Sequence, residues 1–379
     1  MPRKFLNIGD PPGGESWGSE PIILAPAFPQ GQAQYPLYLT SLLVHTQPPY
    51  GQVGPASACP LFLFIFEPEM SALICGSMAY DTIMVFEDQF KNHILPDKVH
   101  ILNVSFFVPH MRREFGGCAG NISYNLKLLG GSPIPMATVG DDFGPYRNWF
   151  EQQNIALDYV KTLPGTFTPQ AFITTDHDNN QITAFHPGAM SRSYENHVKD
   201  VPGVTIGMVS PDSREGMIQN AREFHEMGIP FIFDPGQAMP LFSPDDLRNF
   251  IELADYVTVN DYESSMLQKQ TGWTEQEIAE RVKALICTRG PQGVTIFADG
   301  NSYQIPQAQE KAIKDPTGCG DAFRAGLLFG LSKGYDWETI GRIGNLMGAI
   351  KVSYHGTQNQ SFTYDEFNAE FTKQFGYSL

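Results

Sequence analysis

From residue 71 onward, short apolar runs alternate with stretches patterned as helices. The runs at 73–75, 135–139, 206–209, 230–233, 256–259, 285–288 and 294–297 predict strands, and 119–129, 214–227, 246–253 and 275–283 predict helices between them. The last third is mainly helical, at 319–331, 337–352 and 364–375. Alternation of this kind implies an α/β fold, a doubly wound, mostly parallel sheet flanked by helices on both faces. Two regions interrupt it. Residues 82–90 and 103–115 read as extended segments with no helix between them, and 171–175 and 181–185 read as a hairpin around the polar turn 176–180. Such strands predict a small β-sheet projecting over the carboxyl edge of the main one, as a lid. The expected organisation is an extension at 1–69 and one domain at 70–379, with lid strands within 81–90, 103–115 and 171–186.

The first 69 residues differ in kind. After Arg3 and Lys4 no Lys or Arg occurs until Lys91, proline is dense, and neither structural period is sustained. The start lacks the apolar core of a secretory signal and the arginine richness of a transit peptide. The expectation is a disordered or loosely packed extension without a catalytic role, or one upstream of a native start at Met70; a docking or regulatory segment is the alternative.

Composition narrows the partners. A formal net charge of −16 argues against nucleic acid or an anionic membrane as the main partner, since both need basic patches. It leaves room for a small anionic ligand, because a few local donors and a metal overcome the global sign. The five cysteines Cys59, Cys75, Cys118, Cys287 and Cys319 form no CxxC pair and read as reduced thiols in a cytoplasmic setting. The most apolar run, 61–66, is far shorter than the ~20 residues a bilayer span requires.

The strongest chemical signal is DPTGCGDAFRAG at 315–326, followed by an apolar helix. Gly318 and Gly320 let backbone N–H groups converge where a helix N-terminus points its positive end, which makes an anion-binding nest. Asp321 sits in the first turn of the same helix. A carboxylate and an anion hole at one point suit phosphoryl transfer to an alcohol, with a base at the hydroxyl and donors on the transferred group. The bland alternative is a helix N-terminal acid after a glycine turn.

Other motifs settle that choice. The 315–326 string resembles the C-terminal signature of the PfkB/ribokinase family of carbohydrate kinases, and GGCAGNISYNLKLLG at 116–130 resembles its N-terminal signature. Asn260-Asp-Tyr-Glu263 is similar to the family's Asn-x-x-Glu motif, and Thr288-Arg-Gly290-Pro-Gln-Gly293 to its nucleotide loop. The motifs occur in family order and the resemblance covers the chain after Met70. It implies an ATP-dependent kinase in which Asp321 is the general base and Gly318, Cys319 and Gly320 supply the anion hole. It further implies that Glu263, with Asn260, holds Mg²⁺ through water, and that Thr288, Gly290 and Gly293 line the ATP site. Asp315 and Thr317 match positions that hold a monovalent cation such as K⁺ in ribokinase-like members.

On the acceptor side the resemblance places Asp81 and Asn121 on sugar hydroxyls, with Gly117 permitting close approach. A carboxylate and an amide together satisfy a vicinal diol. The stretches 105–115 and 180–190 look closer to bacterial adenosine and nucleoside kinases than to ribokinase or fructokinase, which implies a nucleoside acceptor. Phe107, Phe185 and Met190 are candidates to pack its base; the alternative for each is ordinary lid core. His186 is a base contact, a turn residue or neither. Arg112 and Arg113 reach phosphate on closure or pair with surface acids. Arg324, one turn after Asp321, either neutralises phosphate or pairs with an acid on a neighbouring helix. The runner-up acceptor is a free sugar such as ribose or fructose, and the reading from another class is a non-catalytic nucleotide- or nucleoside-binding relative. A monomer and a homodimer are both compatible with the pattern.

Overall fold

In a computed structural model, which describes residues 71–94, 103–178 and 180–379, the first strand shows how the main sheet is built. β1 (Ser71–Cys75) sends Ala72 and Ile74 into one buried cluster and Leu73 and Cys75 into another. Alternate side chains of a strand point to opposite faces, so a strand apolar on both is covered on both. The chain divides into two units, Met1–Phe64 and Ile65–Leu379, and every described residue belongs to the second. The expectation for residues 1–69 lies outside the described residues.

After β1 come β2 (Ala79–Val85), β3 (His110–Gly116), α1 (Cys118–Leu128), β4 (Ser132–Val139), α2 (Gly144–Gln152) and β5 (Val160–Thr162). The middle of the chain forms β6 (Gln170–Thr175), β7 (Gln181–His186), β8 (Val204–Val209), α3 (Arg214–Met227), β9 (Phe231–Phe233), α4 (Pro244–Leu253) and β10 (Tyr256–Asn260). Then follow α5 (Asp261–Thr271), α6 (Glu275–Ala279), β11 (Ala284–Thr288), β12 (Val294–Ala298) and β13 (Asn301–Ile305). Three helices close the chain: α7 (Cys319–Lys333), α8 (Trp337–Lys351) and α9 (Tyr364–Phe375).

The main sheet has the order β13-β12-β11-β10-β9-β8-β1-β4-β5; the strands from β11 to β5 pair in parallel and β12 and β13 are antiparallel. One face packs on α1, α2, α7, α8 and α9, the other on α3, α4, α5 and α6. Several helix starts are written locally. Ser243, Asn260, Thr274 and Thr363 each form a capping box with the acid three residues on, so two backbone donors are satisfied reciprocally at α4, α5, α6 and α9.

A second sheet, ordered β3-β2-β6-β7, stands apart from the first. Its first strand begins and ends earlier than the extended segment expected at 82–90, because Phe90–Asn92 closes into a 3-10 turn with Phe90 stacked on Phe86. The helix expected at 275–283 stops at Ala279, since the Lys283 N–H already donates to the Asp255 carbonyl at 2.7 Å and commits the chain to β11. Among the described residues, no helix is long and apolar enough to cross a membrane.

Candidate active site

The carboxyl ends of β1, β9, β10 and β11 meet the N-termini of α1, α5 and α7, and the sequence motifs converge there. Three helix starts are treated differently. At α1, the Ser77 hydroxyl and carbonyl accept from the N–H groups of Cys118 (3.2 Å) and Ala119 (2.9 Å). At α5, Asn260 Oδ1 accepts from the Glu263 N–H and Glu263 Oε2 from the Asn260 N–H, both at 2.8 Å. At α7, Gly318 is the N-cap, with φ +80° and no side-chain cap. A helix start without a cap presents its positive end to whatever anion arrives. The Cys319 N–H turns back to the Pro316 carbonyl at 3.1 Å, so this donor of the expected anion hole is already committed.

Asp321 lies in the first turn of α7 and is half-buried. Asn121 Nδ2, two hundred positions away on α1, donates to its Oδ2 at 2.8 Å. Burial pushes the Asp321 carboxyl above its ordinary range, while the Asn121 amide and the Arg324 guanidinium oppose that rise. A carboxylate raised in this way takes a proton more readily, which is what a base at an alcohol requires. The amide of Asn121 is itself held, because its Oδ1 accepts from Gln358 Nε2 at 3.0 Å and Gln358 Oε1 accepts from Trp149 Nε1 at 3.0 Å. Gln358 was absent from the sequence reading. Its motif-free neighbourhood carries no signal, and only folding brings it to Asn121.

Asp81 opens the small sheet, and its carboxylate lies over Gly116, where a β-carbon would come within 2.6 Å of Oδ2. Gly117 beside it has φ +85°, and a β-carbon there would meet the Ser77 carbonyl at 2.5 Å; only glycine fits this close approach. The Asp81 carboxyl is pushed up to about 6, chiefly by burial and next by the charges of Asp321, Glu114 and Asp315. Asp81, Asp321 and Asp315 therefore share one neighbourhood. Asp81 pairs with Ala171, and Ala171 with Phe185, so Phe185 stands on the Asp81 face of the small sheet. His186, one position on, points to the opposite face. Phe107 is 83% exposed on the segment before β3, and Met190 is half-buried in the 3-10 segment after β7, so the three base candidates are not drawn into one cluster. Arg113 stacks over the Tyr80 ring and Arg112 pairs with Glu114, which takes both toward neighbouring side chains.

The two readings of Arg324 separate clearly. It is 6% exposed, donates from Nη2 to Asp234 Oδ1 at 2.6 Å, pairs with the same carboxylate through Nε, and lies 3.7 Å from Glu263 Oε2. Its acid partner, Asp234, sits just after β9, at the carboxyl edge of the parallel part of the sheet. The guanidinium also lies beside Gly320, where a β-carbon would come within 2.8 Å of Nη1. Asp234 raises the arginine's hold on its proton, while burial pushes the Asp234 carboxyl up to about 7 against the pull of the guanidinium.

On the nucleotide side Asn260 and Thr288 are register partners at the ends of β10 and β11, and Gly290 and Gly293 follow in the next loop. Among the described residues no cluster of three or more His, Cys, Asp or Glu side chains is arranged to hold a metal. Glu263 spends one carboxylate oxygen, Oε2, on its capping box. This suits Mg²⁺, which is commonly held by one carboxylate, water and substrate phosphates.

The model of the pfkB family of carbohydrate kinases matches residues 91–363. The chain belongs to this family. It is a phosphotransferase with the ribokinase-like fold. The nucleoside kinase of Burkholderia thailandensis, solved in complex with inosine, is 51% identical, with a TM-score of 0.74 over 81% of this chain and 99% of that one. Its complex with ADP-inosine is 52% identical, with a TM-score of 0.72 over 81% of this chain and 97% of that one. The nucleoside kinase of Methanocaldococcus jannaschii is 31% identical over 70% of this chain and 87% of its own length.

Proposed function

We propose that this pfkB-family kinase transfers the terminal phosphoryl group of ATP to the 5′-hydroxyl of a nucleoside. The observation that carries the reading is the meeting, in one neighbourhood, of the Asp321 carboxylate, the α7 N-terminus without a side-chain cap, Asn121 and Asp81. Similarity to an enzyme solved with inosine and with ADP-inosine supports the choice of acceptor and donor.

In this reading the nucleoside hydroxyl gives its proton to Asp321 as its oxygen bonds to the γ-phosphorus, and the bond from that phosphorus to the β–γ bridging oxygen breaks, leaving ADP. Backbone N–H groups at Gly318 and Gly320, with the positive end of α7 behind them, take the charge that spreads over the transferred group. Glu263, with Asn260, would hold Mg²⁺ through water, and the ion would supply further neutralisation of the phosphates. Asn121 gives one amide proton to Asp321 and has a second for a ribose hydroxyl, while Asp81 accepts from the neighbouring hydroxyl. Phe185, on the same face as Asp81, offers a surface for the base. Closure of the small sheet would exclude water as a competing acceptor. ATP as donor is in keeping with a cytoplasmic setting.

A coupled ADP-release assay with Mg·ATP and adenosine, inosine, cytidine, ribose or fructose tests the proposal. Nucleosides should turn over with free sugars at least about a hundredfold poorer in kcat/KM. Ribose or fructose used as well as any nucleoside would overturn the acceptor; no turnover of any of them would overturn the reaction.

A further inference from the structure

Lys351 ends α8 and is wholly shielded from solvent. A buried ammonium loses its hydration, and burial accordingly lowers this lysine's affinity for its proton. It keeps its charge where protein oxygens stand in for water. They do so here. Lys351 Nζ donates to the backbone carbonyl of Asp315 at 2.9 Å and to that of Tyr354 at 3.2 Å.

These carbonyls belong to two chain segments flanking the anion hole, residues 314–318 entering α7 and residues 352–357 leaving α8. The same two segments are tied elsewhere. The Lys314 and Asp315 N–H groups donate to the Val352 carbonyl at 2.8 and 3.1 Å. One Asp315 carboxylate oxygen accepts from the Thr317 N–H at 2.9 Å, the other from the Gly356 N–H at 3.0 Å. Thr357 packs on Gly318, where a β-carbon would meet its methyl at 3.0 Å. The ammonium thus sits at the hinge between the loop that carries the anion hole and the loop that braces it.

Asp315 and Thr317 are also where the family resemblance places a monovalent cation. The residues present do not fit one. A carbonyl suited to such an ion already faces the Lys351 ammonium, both carboxylate oxygens of Asp315 hold backbone donors, and a second positive charge beside the first would be repelled. Potassium and a primary ammonium are alike in charge and in seeking carbonyl oxygens. We propose that Lys351 is a built-in monovalent cation, whose ammonium fixes and neutralises the anion-hole loop so that this kinase works without potassium. Lys351 is a positioning residue, since it acts through residues 315–318. The inference rests on the phosphotransfer reading of that loop.

The test holds ionic strength constant and exchanges tetramethylammonium chloride for potassium chloride. Wild-type kcat and the KM for ATP should change less than about twofold. Lys351→Ala should lose about tenfold or more in kcat in tetramethylammonium and regain most of it in potassium, rubidium or ammonium, but not lithium. Thermal unfolding gives a readout independent of turnover: potassium should raise the midpoint of Lys351→Ala above that in tetramethylammonium and leave the wild type unmoved. Wild-type activity or midpoint rising severalfold or by several degrees with potassium would overturn the inference. So would a Lys351→Ala protein that is fully active in both salts. If the alanine variant does not fold, Lys351→Met and the wild-type titration decide. A wild type without turnover in any salt overturns the phosphotransfer reading, and the unfolding comparison still decides the cation question.

Discussion

Replacing Asp81 with asparagine should make the protein more stable and the enzyme worse. The Asp81 carboxyl is pushed from an ordinary 3.8 to about 6, first by burial and then by the charges of Asp321, Glu114 and Asp315. The folded protein therefore binds this proton more tightly than the unfolded chain does. Ionised Asp81 opposes folding at pH values above 6, and that opposition fades as the pH falls from about 6 to about 4, below which both states are protonated. A rise of about two units is worth up to about 3 kcal/mol at neutral pH, since one unit corresponds to ~1.4 kcal/mol. Asparagine keeps the shape and removes the charge. In urea unfolding at pH 7.5, Asp81→Asn should exceed the wild type by up to about 3 kcal/mol, with the difference shrinking toward zero near pH 4. The same variant should lose kcat/KM for nucleoside, because an amide replaces the acceptor facing a ribose hydroxyl, and the wild-type kcat/KM should fall as the pH drops through about 6. A variant less stable than the wild type at pH 7.5, or a stability difference that ignores pH, would refute the reasoning and show that donors hold the Asp81 carboxylate ionised.

Asp321→Asn should lower kcat by at least about 10²-fold while nucleoside binding, measured by calorimetry, stays close to wild type and the unfolding midpoint does not fall. Arg324→Met leaves Asp234 buried without its partner and should cost about 3–5 kcal/mol in urea unfolding; adding Asp234→Leu should restore most of the stability and little of the kcat. Phe185→Ala should raise the KM for inosine roughly two- to tenfold with kcat nearly unchanged, as steady-state kinetics would report, because only stacking on the base is lost.

The main sheet was legible in the sequence because its strands are apolar on both faces, and runs such as 256–259 and 285–288 leave few alternatives. What was missed is polar or punctuated. α2 carries Gly144-Pro145 at its start, and α5 reads DYESSMLQKQT, with little apolar stripe to betray a helix; its start is fixed by the Asn260–Glu263 box. That box explains the spacing of the Asn-x-x-Glu motif without any ligand, so the spacing alone could not reveal whether Glu263 also faces a metal. β13 is a polar edge strand, and its signal, Asp299-Gly300 between two extended runs, was present and unread. At the site, the signatures around 116–130 and 315–326 were visible because each is one loop and one helix start. Asn121 and Asp321 were both named, but their hydrogen bond joins helices two hundred positions apart. Arg324 shows the limit most plainly: the sequence left phosphate and an acid on a neighbouring helix as equal partners, and the choice is made by Asp234 in the loop after β9. A lysine closing an apolar helix reads from sequence as a charge matched to the helix dipole. Lys351 takes on a different meaning only because its carbon chain is buried and two carbonyls from separate loops lie at its tip. Local motifs thus identify the chemistry, while the groups that hold and tune it are placed by tertiary packing, where no sequence spacing exists to be read.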